Sequence, residues 1–254
     1  MTNAVSSSQN PVPLHIGVIM DGNGRWAAAR GLPRIEGHRR GIEAVRSLVK
    51  AAEKHGIRYL TLYSFSKENW TRPAGEVSEL MGLLKFFIEK DLQRLKKDGV
   101  KIRILGDKDS LTKDIAGLLR KAEAETEQNE RLYLQVAFNY GSRDEITRAA
   151  RNLALDVTSG TINADAISEE AFSTYLDTKD IPDPDLILRT SGEIRLSNFL
   201  LWQAAYAEFV FLDVLWPDFG ESHLSEALSI YAKRDRRYGG VTPDSSRLSL
   251  QKSG

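Results

Sequence analysis

His15-Ile16-Gly17-Val18-Ile19-Met20-Asp21-Gly22-Asn23-Gly24-Arg25-Trp26 is an apolar run that stops at a carboxylate, two glycines and an arginine. The run from Leu14 to Met20 is apolar almost throughout, not alternately, which reads as a strand buried on both faces. The glycines at 22 and 24 let backbone N–H groups approach an anion, and a helix starting near Trp26 would aim its positive end at the same place. Strand, glycine loop and helix together open an α/β sheet with a phosphate at the strand's carboxyl end. Asp21 does not suit a bare phosphate. A carboxylate repels an anion unless a divalent cation lies between them, so the loop predicts a metal-bridged diphosphate.

The same alternation continues outward. Apolar runs rich in strand formers occupy 58–65, 100–105, 132–138, 186–188 and 209–212, and helix-period segments fill 41–55, 77–97, 111–128, 144–155, 168–176 and 224–236. The expected fold class is therefore α/β: a single domain with a mostly parallel six-stranded sheet flanked by helices. The loops 21–25, 66–72, 139–143 and 189–197 each follow a strand, so all would converge on one cleft at the carboxyl ends. Residues 1–13 and the Ser-rich 241–254 read as flexible tails around a domain at 14–240.

With 254 residues the chain is long enough for a large core, and its 41% hydrophobic and 28% charged composition is that of an ordinary globular protein. It has no cysteine, which excludes disulfides and thiolate chemistry, and its 4 histidines lack metal-site spacing. The balance of 35 basic against 35 acidic residues argues against nucleic acid as a partner. Polar, Ser- and Asn-containing residues open the chain without an export pattern, so the cytoplasm is the expected compartment. No run approaches the roughly 20 apolar residues of a spanning helix, which limits any membrane role to peripheral contact.

Charge clusters locally instead. Arg25, Arg30, Arg34, His38, Arg39 and Arg40 lie close in sequence, and Arg189 and Arg195 bracket a second glycine loop, which makes two anion sites. Ser66-Lys67-Glu68-Asn69-Trp70-Thr71-Arg72-Pro73 gathers a hydroxyl, an amide, two cations and an indole before a helix, although a capped polar turn would use the same residues. The helix at 77–95 carries Met81, Leu83, Phe86 and Phe87 beyond its main apolar stripe. It is either wedged in the core or one wall of an apolar channel, with Leu132, Leu134 and Val136 as the far wall. Glu208, in an apolar stretch, is either a paired half-buried carboxylate or a second metal ligand. Gly22 to Ala27 also satisfies the dinucleotide pattern G-x-G-x-x-A, but the next strand does not end on the lone acid that a ribose needs. Walker, G-x-S-x-G and H-E-x-x-H patterns are absent.

Together these segments resemble the cis-prenyltransferases, or isoprenyl transferases, and within them the bacterial undecaprenyl diphosphate synthases. The blocks that carry the resemblance are H-I-G-V-I-M-D-G-N-G-R-W, G-H-R-R-G at 37–41, Y-S-F-S-K-E-N-W-T-R-P at 63–73, R-T-S-G-E-I-R-L-S-N-F-L-L-W-Q at 189–203, and A-Y-A-E-F with W-P-D-F at 205–219. The D-D-x-x-D of trans-prenyl synthases is missing.

The resemblance implies repeated cis addition of isopentenyl diphosphate to an allylic diphosphate such as farnesyl diphosphate, with Mg2+ as cofactor. It would make Gly22, Asn23, Gly24, Arg25, Trp26, Arg34 and His38 the allylic diphosphate site, and Asp21 the essential magnesium-linked carboxylate. Ser66 and Asn69 would lie near the departing proton, with Asn69 as its acceptor or relay; Lys67, Glu68, Trp70 and Arg72 would shape the same pocket. Arg189, Arg195, Leu196 and Ser197 would bind isopentenyl diphosphate, and Glu208 would complete the metal site in this or a partner subunit. An apolar tunnel between sheet and helices would take the growing chain, and a homodimer would bring Arg237-Tyr238-Gly239 toward the neighbour's site.

Overall fold

The computed structural model describes residues 12–234. Six strands form one sheet in the order β3-β4-β2-β1-β5-β6, all parallel: β1 (His15–Ile19), β2 (Tyr59–Ser66), β3 (Val100–Leu105), β4 (Leu132–Tyr140), β5 (Leu186–Arg189) and β6 (Glu208–Phe211). β1 is buried at every position, as its unbroken apolar run requires. The chain leaves β1 for β2 on one side and returns, after β4, to β5 on the other. The topological switch point thus falls at β1, where open parallel sheets place their ligand crevice.

The helices are α1 (Asn23–Ala28), α2 (Arg34–Lys54), α3 (Ala74–Lys97), α4 (Lys113–Glu125), α5 (Ser142–Thr158), α6 (Glu169–Ser173) and α7 (Glu221–Ala232). The sequence reading corrects at three of them. The helix expected near Trp26 begins at Asn23 and lasts six residues. α2 begins at Arg34, not Gly41: Pro33 sets the entering backbone and Glu36 supplies a first-turn acid. Its internal glycines are there for packing, because a Cβ on Gly37 would lie 2.0 Å from the Asn23 carbonyl oxygen and one on Gly41 2.5 Å from Asn23 Oδ1. α6 is shorter than expected, capped by Ser168, whose side chain accepts from Ala171 N. The proposed tails and the Arg237-Tyr238-Gly239 element lie outside the described residues, apart from Val12 and Pro13.

One face of the sheet packs on α2, α3, α4 and α7 through Val18, Leu60, Leu62, Leu134 and Leu188 with Leu48, Leu92, Leu119 and Leu224, all buried. Fully burying each such side chain contributes about 1.5–3 kcal/mol. The opposite face holds a smaller cluster around Ile187, Phe199 and Tyr140. No helix of the described residues is long and apolar enough to cross a membrane.

Candidate active site

A cavity of about 730 Å³ opens where β1, β2 and β5 end and runs inward between the sheet and α2, α3 and α4. Its mouth is polar, with Asp21, Gly22, Asn23, Gly24, Arg34, His38, Ser66, Glu68, Asn69, Arg72, Arg189, Arg195 and Ser197 on its wall. Its depth is apolar, lined by Ile42, Leu83, Phe87, Leu95, Ile104 and Leu134, among others. From Leu80 to Leu95 the lining follows α3 for about 22 Å, at 1.5 Å of rise per residue.

At the mouth Gly22 takes φ 108°, a conformation that other residues adopt only under strain, and a Cβ there would come within 2.9 Å of Leu215 Cδ2. Gly24 instead sits inside α1, where an added Cβ would meet the Arg34 guanidinium at 3.3 Å. Asp21 Oδ2 accepts a 2.7 Å hydrogen bond from Arg189 Nη2. Arg189 is 3% exposed, and its Nη1 donates to the Arg195 carbonyl at 2.6 Å and Ser197 Oγ at 2.8 Å. Burial opposes ionisation of Asp21, but the Arg189 hydrogen bond and charge, with the Gly22 N–H and Arg25, outweigh it and hold the carboxyl below its usual range. Thr190 Oγ1 accepts from Asp21 N at 3.0 Å, so the strand ends are stitched together beneath the carboxylate.

Beside it, Glu76 pairs with Arg72 at 2.9 Å and Arg34 at 3.4 Å, leaving a cationic pocket around His38. Burial, reinforced by Arg72 and Arg34 against Glu76, lowers the His38 pKa to about 4, so the ring is neutral at pH 7. Its Nε2 is buried without a partner, as are Arg189 Nε and Asn23 Oδ1. The Arg189 Nε–H is a donor and fits an oxygen-rich ligand, whereas Asn23 Oδ1 is an acceptor and calls for a donor such as water. Asn69 Oδ1 accepts from Ser66 N at 3.0 Å, which folds the turn Lys67–Thr71 back on itself.

Several predicted residues stand off the cavity wall. Lys67 reaches away to Asp144 at 2.6 Å and Asp107 at 3.4 Å. Trp26 donates to Asp218 under the Arg30 guanidinium, and Trp70 donates to Asn139 at 2.7 Å while packing edge-on against Phe65. Arg25 turns to Ser191 and to Glu193 at 3.3 Å, and Leu196 packs on the smaller core cluster. Of the expected channel residues Leu83, Phe87, Leu134 and Val136 line the cavity, whereas Met81 packs on the core, Leu132 is fully buried, and Phe86 is 50% exposed beneath Lys90.

Glu208 lies level with Leu186 and so with Ile16, at the amino end of the sheet, and is bound by Arg234 at 2.6 Å. It is about 16 Å along the strands from Asp21, too far to share an ion with it in one chain. The sequence reading missed Tyr63, Glu76, Trp216 and Asn198. Glu76 had a signal, its i,i+4 spacing from Arg72. Trp216, 1% exposed and donating to the Gly41 carbonyl at 3.0 Å, and Tyr63, whose hydroxyl donates to the Ser197 carbonyl at 3.2 Å, had none, since aromatic residues in apolar runs read as core.

The fold and this cleft have counterparts. Residues 19–239 match the family described as "Putative undecaprenyl diphosphate synthase". Isoprenyl transferase 2 of Bradyrhizobium diazoefficiens is 55% identical over 95% of this chain and 98% of its own length. The isoprenyl transferase of Agrobacterium fabrum is 57% identical over 93% and 96%. In structure, lavandulyl diphosphate synthase from Lavandula x intermedia, solved with dimethylallyl diphosphate, superposes with a TM-score of 0.87 at 36% identity, covering 90% of this chain and 98% of that one. The chain belongs to the isoprenyl transferase family of cis-prenyltransferases. The dinucleotide reading falls with that membership and with the six-residue helix that follows the loop.

Proposed function

We propose that this chain is a magnesium-dependent synthase that extends farnesyl diphosphate with isopentenyl diphosphate, each new double bond being cis, into a long polyprenyl diphosphate of undecaprenyl length, the carrier lipid for cell-wall precursors. The observation that carries the reading is the cavity itself: a mouth with separate cationic pockets leading into an apolar channel suits diphosphates with hydrocarbon tails. Asn23, Gly24, Arg34 and His38 bind the allylic diphosphate, and Arg189, Arg195 and Ser197 the isopentenyl diphosphate.

The residues fit magnesium. Among those described no three His, Asp or Glu side chains form an ion site unaided. Magnesium is commonly held by one or two carboxylates together with substrate phosphate oxygens and water, so Asp21 suits an ion that arrives with a diphosphate. When bound there, the ion supplies charge neutralisation at the diphosphate oxygens. The chain's own part is to meet charge that grows on the leaving diphosphate as the allylic carbon–oxygen bond breaks. Arg34 and backbone N–H groups do this more strongly in the transition state than before it. Asn69 orients: its Oδ1 is taken by Ser66 N, so the amide holds the second substrate and is not itself the base.

A homodimer completes the reading. β6 is one edge of the sheet, Phe209 and Phe211 stack on it, and Tyr206, two residues before it, is 76% exposed. A partner across such a face would be the source of the carboxylate that Glu208 cannot supply in its own chain. Incubating the protein with labelled isopentenyl diphosphate, farnesyl diphosphate and magnesium should yield butanol-extractable long-chain products. No product with any allylic primer would overturn the proposal.

A further inference from the structure

Asn198 follows the second diphosphate loop and reaches two others. Its Nδ2 donates to Glu68 Oε1 at 2.7 Å, its Oδ1 accepts from Arg143 N at 2.9 Å, and its carbonyl accepts from Ser142 N at 2.9 Å. The space for it lies beside a glycine: a Cβ on Gly141 would lie 2.7 Å from Asn198 Nδ2, so a side chain there would push the amide from its place. Its φ of 65° is left-handed, a region asparagine enters more readily than other side chains. Ser197, just before it, is tied to Tyr63 and Arg189, so this short run joins the ends of β2, β4 and β5.

Two of the Asn198 bonds go to the first N–H groups of α5, whose own preceding residue, Gly141, offers no side-chain cap. The third has no such structural purpose. It fastens the loop of Arg195 and Ser197 to the turn that holds Ser66 and Asn69. We propose that Asn198, through Glu68, is a positioning residue that keeps the loop of Arg195 and Ser197 in register with the turn of Ser66 and Asn69, so that the acceptor substrate's diphosphate and its reacting end are held at a fixed separation; this rests on the functional reading above.

The amide chemistry makes the roles separable. Asn198→Asp keeps both acceptor oxygens for α5, and a charge at a helix start is favourable, but it sets a carboxylate against Glu68. The expected result is an unchanged melting temperature with kcat/KM for isopentenyl diphosphate reduced roughly tenfold or more, as for loss of a hydrogen bond to a charged group. The deficit should shrink at low pH, where the facing carboxyls can share a proton. The double variant N198D/E68Q restores one donor facing one carboxylate and should recover the lost activity to the level of E68Q alone. Amide exchange over residues 66–70 should rise in N198D and return in the double variant. Wild-type kinetics in N198D, or no recovery in the double variant, overturns the proposal. If the wild-type protein makes no product with any primer, the functional reading fails, and the exchange data alone decide the clamp: a rise and return supports it, no change overturns it.

Discussion

Arg189 Nη2 and Asp21 Oδ2 meet at 2.7 Å across the ends of adjacent strands, β1 and β5, joining the proposed metal carboxylate to the proposed isopentenyl diphosphate site. The pair neutralises a cation that is 3% exposed and would otherwise be costly to bury. Asp21→Asn keeps an acceptor for Arg189 while deleting the charge that a diphosphate-borne cation needs. Turnover should fall by about 10²-fold or more, with the fold intact by circular dichroism. Asp21→Ala should be as inactive and cost about 1–3 kcal/mol of stability in urea titration, the lower end reflecting the partial exposure of Asp21. Near wild-type incorporation of labelled isopentenyl diphosphate in either variant would remove Asp21 from the chemistry.

Glycine-to-alanine substitutions in two helices should have opposite signs. Gly117, on the exposed face of α4, has nothing within 4 Å of an added Cβ, so Gly117→Ala should raise stability by about 0.5–1 kcal/mol. Gly37, inside α2, would drive a Cβ to 2.0 Å from the Asn23 backbone. Gly37→Ala should therefore lower the melting temperature and displace α1, weakening allylic diphosphate binding despite alanine's better helix propensity. Calorimetric scans of the two variants decide it, and equal shifts would break the packing argument.

Those glycines also mark where sequence stops being legible. The strands were readable because each is an apolar run between turn residues, and three of the four loops expected to converge, 21–25, 66–72 and 189–197, line one cleft, whereas 139–143 stays off its wall, with Asn139 bonded to Trp70, Asp107 and Ser110. The start of α2 was not, because Gly37 and Gly41 look like helix breakers until α1 is seen crossing them. Likewise Phe86 and Phe87 are indistinguishable as residue types, yet helix geometry turns one to solvent and the other into the cavity. Glu208 reads as a partner of Asp21 only while strand register is unknown; pairing Leu186 with both Ile16 and Glu208 sends them to opposite ends of the sheet. Asn198 looks like any loop polar residue, since its partners Glu68 and Arg143 are remote in sequence.

His15 should make stability depend on pH. Burial lowers its pKa from 6.5 to about 4, against the Pro182 carbonyl and Asp185, which favour the charged form. Between those values the unfolded chain binds a proton that the folded chain refuses, so stability is full above pH 6.5 and falls as pH drops toward 4. The slope is about 1.4 kcal/mol per pH unit for each such proton, and His38, also lowered to about 4, adds a second of the same sign. In urea titrations from pH 7 to 4.5, His15→Gln should lose a substantial part of the wild-type slope. A variant whose slope matches wild type would show that His15 is not the group responsible.

The distal end of the cavity should limit product length. Ala122, on α4, lines it with Leu95, Ile102, Leu119 and Leu134, far from the polar mouth. Ala122 is 1% exposed, so Ala122→Leu carries the usual overpacking cost of about 1–3 kcal/mol while narrowing this end of the cavity. A chain growing inward would meet the new side chain only after several condensations. Expected, then, is a shorter product from farnesyl diphosphate with the rate of the first condensation unchanged, read by chromatography of dephosphorylated products. If the distribution stays as in wild type, the chain does not reach α4 and length is set nearer the mouth. If the first condensation slows as well, the substitution has moved the sheet, because strands β2 and β4 carry both the channel wall and the turn that holds Asn69.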